Sequence, residues 1–312
     1  MKNFQSHIEW AKRVNGNLTI RKATESDGNA FVNLYNQYYR HRKTSIDYFK
    51  WQFLDSPFKS QLFLVWDKDQ LIAYSGLKIY VLSNNLSTGF VIDFLIDLAY
   101  RNRGLAFLLE DAIITYCNEH DVHLLTALPN QFGNAALMGM GWTTLAKIDS
   151  MVLDLKKVDR FTTIDSKPKE NLEKTLKFHK DELFRSWRFD KSPVYKYEYV
   201  FNESNAAAIT KLFFDSDNGI TIGDIVDLVF SEEEESANTL IDEVIKYMSL
   251  KQVETLTCWA FPHTNLYNIL ICKGFKSIPG NRFFCLKPLS SEYEYLLSPY
   301  IWDLVEADSE VY

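Results

Sequence analysis

Leu98-Ala99-Tyr100-Arg101-Asn102-Arg103-Gly104-Leu105-Ala106 decides the fold of this 312-residue chain, because a strand ends there, a basic small-residue turn follows and an amphipathic helix begins. Ahead of the turn, Phe90-Val91-Ile92-Asp93-Phe94-Leu95-Ile96 is nearly continuous in apolar and β-branched residues, the pattern of a strand covered on both faces. Behind it, Leu105, Leu108, Leu109, Ala112, Ile113 and Tyr116 recur at helical spacing and place one apolar stripe on a helix. Gly104 and Ala106 keep the first turn nearly free of side chain, so an anion can reach unpaired backbone N–H groups where the helix dipole also favours negative charge. Arg101 and Arg103 would add charge-assisted contacts to that anion. The plain alternative is an ordinary strand-to-helix turn with two solvated arginines, since short glycine motifs recur by chance.

Arg101-Asn102-Arg103-Gly104-Leu105-Ala106 fits the pattern R/Q-x-x-G-x-G/A, and with the preceding strand it resembles motif A of the GNAT superfamily of acyl-CoA-dependent N-acetyltransferases. Other segments follow that family's order. Val122 to Ala127 reads as the next strand, and Asn130 to Gly141-Trp142 resembles the later Asn, helix and Gly-aromatic segment. Upstream, Leu18-Thr19-Ile20-Arg21 reads as a first strand, Thr24 and Asp27 have capping-box spacing, and Leu62 to Trp66 and Leu71 to Leu82 read as a hairpin around Asp67-Lys68-Asp69-Gln70. The resemblance spans about residues 18 to 155.

The chain also repeats itself. Trp51-Gln52-Phe53-Leu54-Asp55-Ser56-Pro57 returns as Trp187-Arg188-Phe189-Asp190-Lys191-Ser192-Pro193, Ile92-Asp93-Phe94 as Val226-Asp227-Leu228, and Pro129 to Gly141-Trp142 as Pro262 to Gly274-Phe275. These collinear matches predict two copies of one α/β (α+β) fold, each a mixed central sheet flanked by helices. The expected partition is a cofactor-binding, catalytic domain over 1–155, a polar linker over 156–170 and a degenerate copy over 171–312. After the second copy's strand Gly223 to Phe230, Ser231-Glu232-Glu233-Glu234-Glu235-Ser236 replaces the arginine-glycine turn. Four carboxylates there would repel a pyrophosphate, so one cofactor per chain is expected, in the first copy.

A net charge of −7 argues against a general nucleic-acid binder. No apolar run approaches the ~18 residues of a membrane span, and Met1 to His7 lacks the apolar core of a signal peptide, so a cytoplasmic protein is expected. Cys117, Cys258, Cys272 and Cys285 lack CxxC spacing and sit among apolar residues, as buried reduced thiols do, and no HExxH or Cys/His cluster suggests a metal. Tyr195, Tyr197 and Tyr199 alternate on a strand, where they stack on a planar substrate or pack against a core.

What the resemblance implies is attack of a substrate amine on the thioester of acetyl-CoA. The backbone of Phe94, Leu95 and Ile96 would line the pantetheine arm, Arg101, Asn102, Arg103, Gly104, Leu105 and Ala106 would hold the pyrophosphate, and Asn130 would contact the cofactor. Tyr38, Tyr39 and His41, with Tyr35 before them, fall where the family shapes its acceptor site. Asp93, a carboxylate in an apolar strand, is the candidate base; Asp227 holds the matching place in the second copy, which leaves a structural role open for Asp93. The family's tyrosine acid is replaced by Leu137. The expected acceptor is the primary amine of a small molecule, an amino sugar by analogy with similar bacterial proteins, with no nucleic-acid or membrane partner. Two other readings stay open: a non-catalytic protein that binds acetyl-CoA, and an aminoacyl-tRNA-dependent peptide-bridge transferase.

Overall fold

The computed structural model describes residues 2–39, 42–157, 175–203, 206–216, 219–229 and 234–309. The helices are α1 (Lys2–Val14), α2 (Gly28–Tyr38), α3 (Ile46–Phe49), α4 (Leu105–Asn118), α5 (Gln131–Gly139), α6 (Glu182–Arg185), α7 (Glu234–Leu250) and α8 (Asn265–Cys272). The strands are β1 (Leu18–Lys22), β2 (Gln61–Asp67), β3 (Gln70–Val81), β4 (Ser87–Ile96), β5 (Leu124–Ala127), β6 (Thr143–Asp154), β7 (Tyr197–Phe201), β8 (Ala207–Asp215), β9 (Ile220–Val229), β10 (Thr255–Trp259) and β11 (Lys276–Pro288). Helices and strands thus mix as the sequence predicts. None of the described helices is long and apolar enough to cross a membrane.

Two compact units result, and neither is a continuous piece of chain. The first comprises Met1–Leu145, His179–Val194 and Phe283–Leu297, and the second Ala146–Phe178, Tyr195–Arg282 and Ser298–Tyr312. Within the first, strands run in the order β1-β2-β3-β4-β5 and then the end of β11, where Cys285 to Pro288 pair antiparallel with Ala127 to Leu124. Within the second the order is β6-β10-β9-β8-β7, with Ser150 to Asp154 of β6 antiparallel to β10. Each unit therefore completes its sheet with the last strand of the other sequence copy. The division expected from the sequence, with a boundary at 156–170, follows the repeat; the compact units follow the strand pairing. Residues 158–170 of that expected linker lie outside the described residues.

The repeated W-x-F segments have the same local form. Ser45 caps α3 by accepting the N–H of Tyr48 at 3.2 Å, Asp181 caps α6 by accepting that of Phe184 at 2.8 Å, and each short helix continues as a π turn, Lys50–Leu54 and Ser186–Asp190. Trp51 and Trp187 stack in the first unit with centroids 4.6 Å apart, and each indole N–H donates to the other's carbonyl, at 2.9 and 3.0 Å.

The stripe Leu105, Leu108, Leu109 and Ile113 of α4 packs with Ile8 and Ala11 of α1, Val65, Ile72 and Leu77 of the sheet and Cys285 into the core of the first unit. In the second, Leu240, Ile241, Val244, Ile245 and Met248 of α7 meet Ile225, Leu256 and Cys258. Cys117, Cys258 and Cys285 are buried free thiols, whereas Cys272, the last residue of α8, is only half-buried and not in the core the sequence suggested. Burial raises the Cys117 thiol to about 12 and that of Cys285 to about 11, which keeps both protonated and inert.

Candidate functional site

β4 carries the site because its pairing changes midway. It runs parallel to β5 only from Thr88 to Val91, while on its other edge it stays paired with β3 as far as Ile96. The backbone of Phe94, Leu95 and Ile96 is thereby outside the β5 ladder on one side, which leaves hydrogen-bonding groups for a ligand. The β3–β4 register shifts between Tyr74 and Gly76, and at this bulge Asp93 adopts φ +46°. A left-handed aspartate in a strand stores strain, and a bulge re-aims its side chain.

Asp93 is half-buried, and the Tyr48 hydroxyl donates to its Oδ2 at 2.8 Å. Behind it stands Tyr74, fully buried, whose hydroxyl has no hydrogen-bond partner among the described residues and whose phenol is held well above its ordinary pKa by burial and then by the charge of Asp93. Phe31 of α2 packs against Tyr74 with centroids 4.9 Å apart. Tyr39, at the end of α2, is exposed, and its ring lies tilted against that of Tyr35 with centroids 4.6 Å apart. Tyr38 turns to the far end of β4, where its hydroxyl accepts the N–H of Leu98 at 2.8 Å. His41 lies outside the described residues.

Past β4 the loop alternates backbone conformations. Arg101 is extended, Asn102 has φ +61°, and Gly104 has φ +79° as the residue before α4. Alternation of this kind turns successive N–H groups toward one concavity. Among the described residues no protein acceptor takes the N–H groups of Asn102, Arg103, Gly104, Leu105 and Ala106. Leu105 is buried in the core and anchors the turn, while Arg101, Asn102 and Arg103 are exposed. Arg101 Nε donates to Ile96 O at 3.3 Å, which ties the loop to β4, and the Arg103 guanidinium lies 5.0 Å above the Tyr100 ring. Tyr100 is itself fixed by a 2.7 Å hydrogen bond to Asp67. The result is a cradle of N–H donors with two cations at its rim, suited to an anion.

Asn130 is the N-cap of α5 and accepts the N–H of Gly133 at 2.9 Å. Leu137, where the family's tyrosine acid would stand, lies half-buried in the same helix. In the second unit the bulge recurs at Ile209/Thr210, opposite Ile225 to Asp227 of β9. Residues 231–233 of its acidic turn lie outside the described residues, as do the side chains of Glu234 and Glu235.

The chain matches the Acetyltransferase (GNAT) family over residues 28–141, a segment that contains the bulge, the cradle and α5. Residues 28–141 form a GNAT acetyltransferase domain. No protein of curated function matches the sequence. Among solved structures, a probable N-acyltransferase of unknown function from Enterococcus faecalis V583 matches at 9% identity and TM-score 0.62, covering 87% of this chain and 73% of that one. A putative acetyltransferase from Pyrococcus horikoshii matches at 12% identity and TM-score 0.55, covering 87% and 89%. A tandem GNAT protein from the clavulanic acid biosynthesis pathway matches at 13% identity and TM-score 0.53, covering 88% and 99%. At these identities the likeness is one of fold, and the fold is that of a tandem GNAT protein.

Sequence reasoning missed Tyr48, Tyr74 and α1. Phe4, Ile8 and Ala11 recur at helical spacing and were signal enough for an amphipathic α1; nothing local announces that Tyr48 reaches a residue 45 positions away.

Proposed function

We propose that this protein is an acetyl-CoA-dependent N-acetyltransferase acting on the primary amine of a small molecule, with one cofactor site per chain, in the first unit. The observation that carries the reading is the row of unpartnered N–H groups from Asn102 to Ala106, rimmed by Arg101 and Arg103, at the start of a 14-residue helix. A pyrophosphate fits that donor set in charge and in hydrogen-bond polarity. The edge of Phe94 to Ile96 that lies beyond the β5 ladder is suited to the amide-bearing pantetheine arm that joins the pyrophosphate to the thioester, and Asn130 lies on the strand-to-helix turn that follows β5.

Acetyl-CoA, when bound, supplies an activated acetyl thioester. The chain's own part is to bind, to orient and to move a proton. Backbone donors of β4 would polarise the thioester carbonyl, and Asp93 would take, directly or through water, the proton that the amine nitrogen gives up as it displaces the thiolate. Tyr48 keeps the Asp93 carboxylate aimed, and Tyr38 and Tyr39 flank the acceptor side. The leaving thiolate would take its proton from solvent or from another residue, since Leu137 offers none. An amino sugar is the acceptor class we would test first.

Calorimetric titration of acetyl-CoA into the wild-type chain and into an Arg101→Glu, Arg103→Glu variant tests this reading. Both arginines are exposed, so the variant should fold. We expect one site per chain and a loss of at least 100-fold in affinity in the variant. Two sites per chain would place a cofactor in the second unit as well, and a variant that binds like wild type would remove the cradle from the proposal.

A further inference from the structure

The N-terminal helix α1 lies outside the segment that matches the family, yet it touches the cradle directly. The carboxamide of Asn15, a buried residue, donates one hydrogen to Ala11 O at 2.8 Å and the other to Arg103 O at 2.7 Å. A trans peptide points its C=O and its N–H in opposite directions. Anchoring the Arg103 carbonyl toward α1 therefore turns the Gly104 N–H away from α1 and into the cradle. The same helix presses on the next residue: a Cβ at Gly104 would lie 2.7 Å from both Ala11 Cβ and Trp10 Cζ3. Gly104 is thus fixed by its φ of +79° and by the helix above it.

The attachment of α1 is itself specified. Ile8 and Ala11 are buried against Leu105, Leu108 and Leu109, the His7 ring stacks on Phe107 at 4.7 Å, and Lys12 pairs with Asp111 at 3.1 Å. Asn15 has no freedom to swing, since its own N–H bonds Ala11 O at 3.0 Å and its carbonyl takes the N–H of Leu18 at 2.9 Å.

Resting on the cofactor reading above, we propose that α1 is a working part of the cofactor site, and that Asn15 is the positioning residue that keeps the Arg103–Gly104 peptide turned so that its N–H faces the pyrophosphate. Without that anchor the peptide can rotate, and a carbonyl oxygen in place of an N–H donor repels the same anion. The consequence is selective. Contacts to the pyrophosphate weaken, while those of β4 to the pantetheine arm do not.

The test compares acetyl-CoA with acetyl-pantetheine, which lacks the pyrophosphate, on wild type, Asn15→Ala, Asn15→Asp and Lys12→Ala. Aspartate keeps the shape of asparagine but has no hydrogen to donate. Lys12→Ala removes only an exposed ion pair with Asp111, which contributes little to seating α1 and does not touch the loop, and circular dichroism confirms that each variant is folded. We expect both Asn15 variants to lose about tenfold in affinity for acetyl-CoA and to bind acetyl-pantetheine as wild type does, with Lys12→Ala within twofold for both ligands. Equal losses for the two ligands, or none, overturn the inference while leaving the proposed function intact. A wild-type chain that binds neither ligand overturns both.

Discussion

At matching places in the two sheets stand Lys78, opposite Phe90, and Lys211, opposite Asp224, and both lysines are buried. Lys78 is held by the side-chain oxygen of Gln52 at 3.0 Å and by the Trp187 ring, whose centroid is 3.8 Å away. Lys211 has a carboxylate at 3.1 Å, Asp224, which also accepts a hydrogen bond from Thr257, and the Tyr195 ring at 4.7 Å. Burial and the neighbouring Asp224 hold the Glu306 carboxyl well above the usual carboxylate range. One sheet position is thus held by an amide oxygen and an indole face in the unit that carries the N–H cradle, and by a carboxylate and a phenol ring in the other. The two copies share a backbone and have diverged in what it supports.

The sharpest way to break this picture is to separate the copies. Each unit borrows the other copy's last strand, so residues 1–155 alone would leave β5 without Cys285 to Pro288 and leave Glu110 without the Lys287 ammonium that lies 2.7 Å from it. Burial already pushes the Glu110 carboxyl up, and Lys287 is the largest opposing influence. We expect this half to lack a cooperative thermal transition and to aggregate through the open edge, and its co-expression with 156–312 to restore a folded complex. A half-chain that melts cooperatively near the full-length temperature would show that the exchanged strand is dispensable and that the sequence repeat marks the folding unit.

The lysines come next. Lys211→Met leaves the Asp224 charge buried without its lysine partner and should cost about 3–5 kcal/mol in urea unfolding, whereas Lys78→Met takes a hydrogen bond from the Gln52 amide oxygen and should cost about 1–3 kcal/mol. Equal costs would mean that the two settings are energetically the same and that the comparison carries no weight.

How much of this was legible beforehand depended on the range of the interaction. β2 to β5 and α4 were readable because runs such as Phe90 to Ile96 and the Leu105 stripe encode their own periodicity, and the cradle was readable because Gly104 and its arginines sit within six residues of chain. Strand exchange was not, because the final strands of both copies carry similar patterns and the choice of partner is made by contacts more than a hundred residues apart. The same holds for Asn15 and Tyr48, whose sequence signal is that of any polar residue beside a helix; only the fold brings them to Arg103 and Asp93.

The smallest effect we expect comes from a turn present in both units. Val305 to Asp308 and Thr24 to Asp27 each fold back so that the aspartate accepts the first residue's N–H, at 2.8 and 2.7 Å. In the first unit Asp27 adds two hydrogen bonds from Arg21, at 2.7 and 2.6 Å, and the Arg21 guanidinium, together with the N–H and hydroxyl of Thr24, draws its carboxyl down to about 2 from an ordinary 3.8. A carboxyl lowered on folding stabilises the native state above its unfolded pKa and loses that contribution as the pH falls through the folded one. Asp27 should therefore contribute about 2 kcal/mol at neutral pH, declining from just above pH 4 and gone near pH 2. The Asp27→Asn variant should be less stable than wild type by about that amount at pH 7, and the two urea curves should converge as the pH approaches 2. A gap that persists undiminished at pH 2 would assign the effect to the shape of the turn, which both units share, and not to the Arg21 pair.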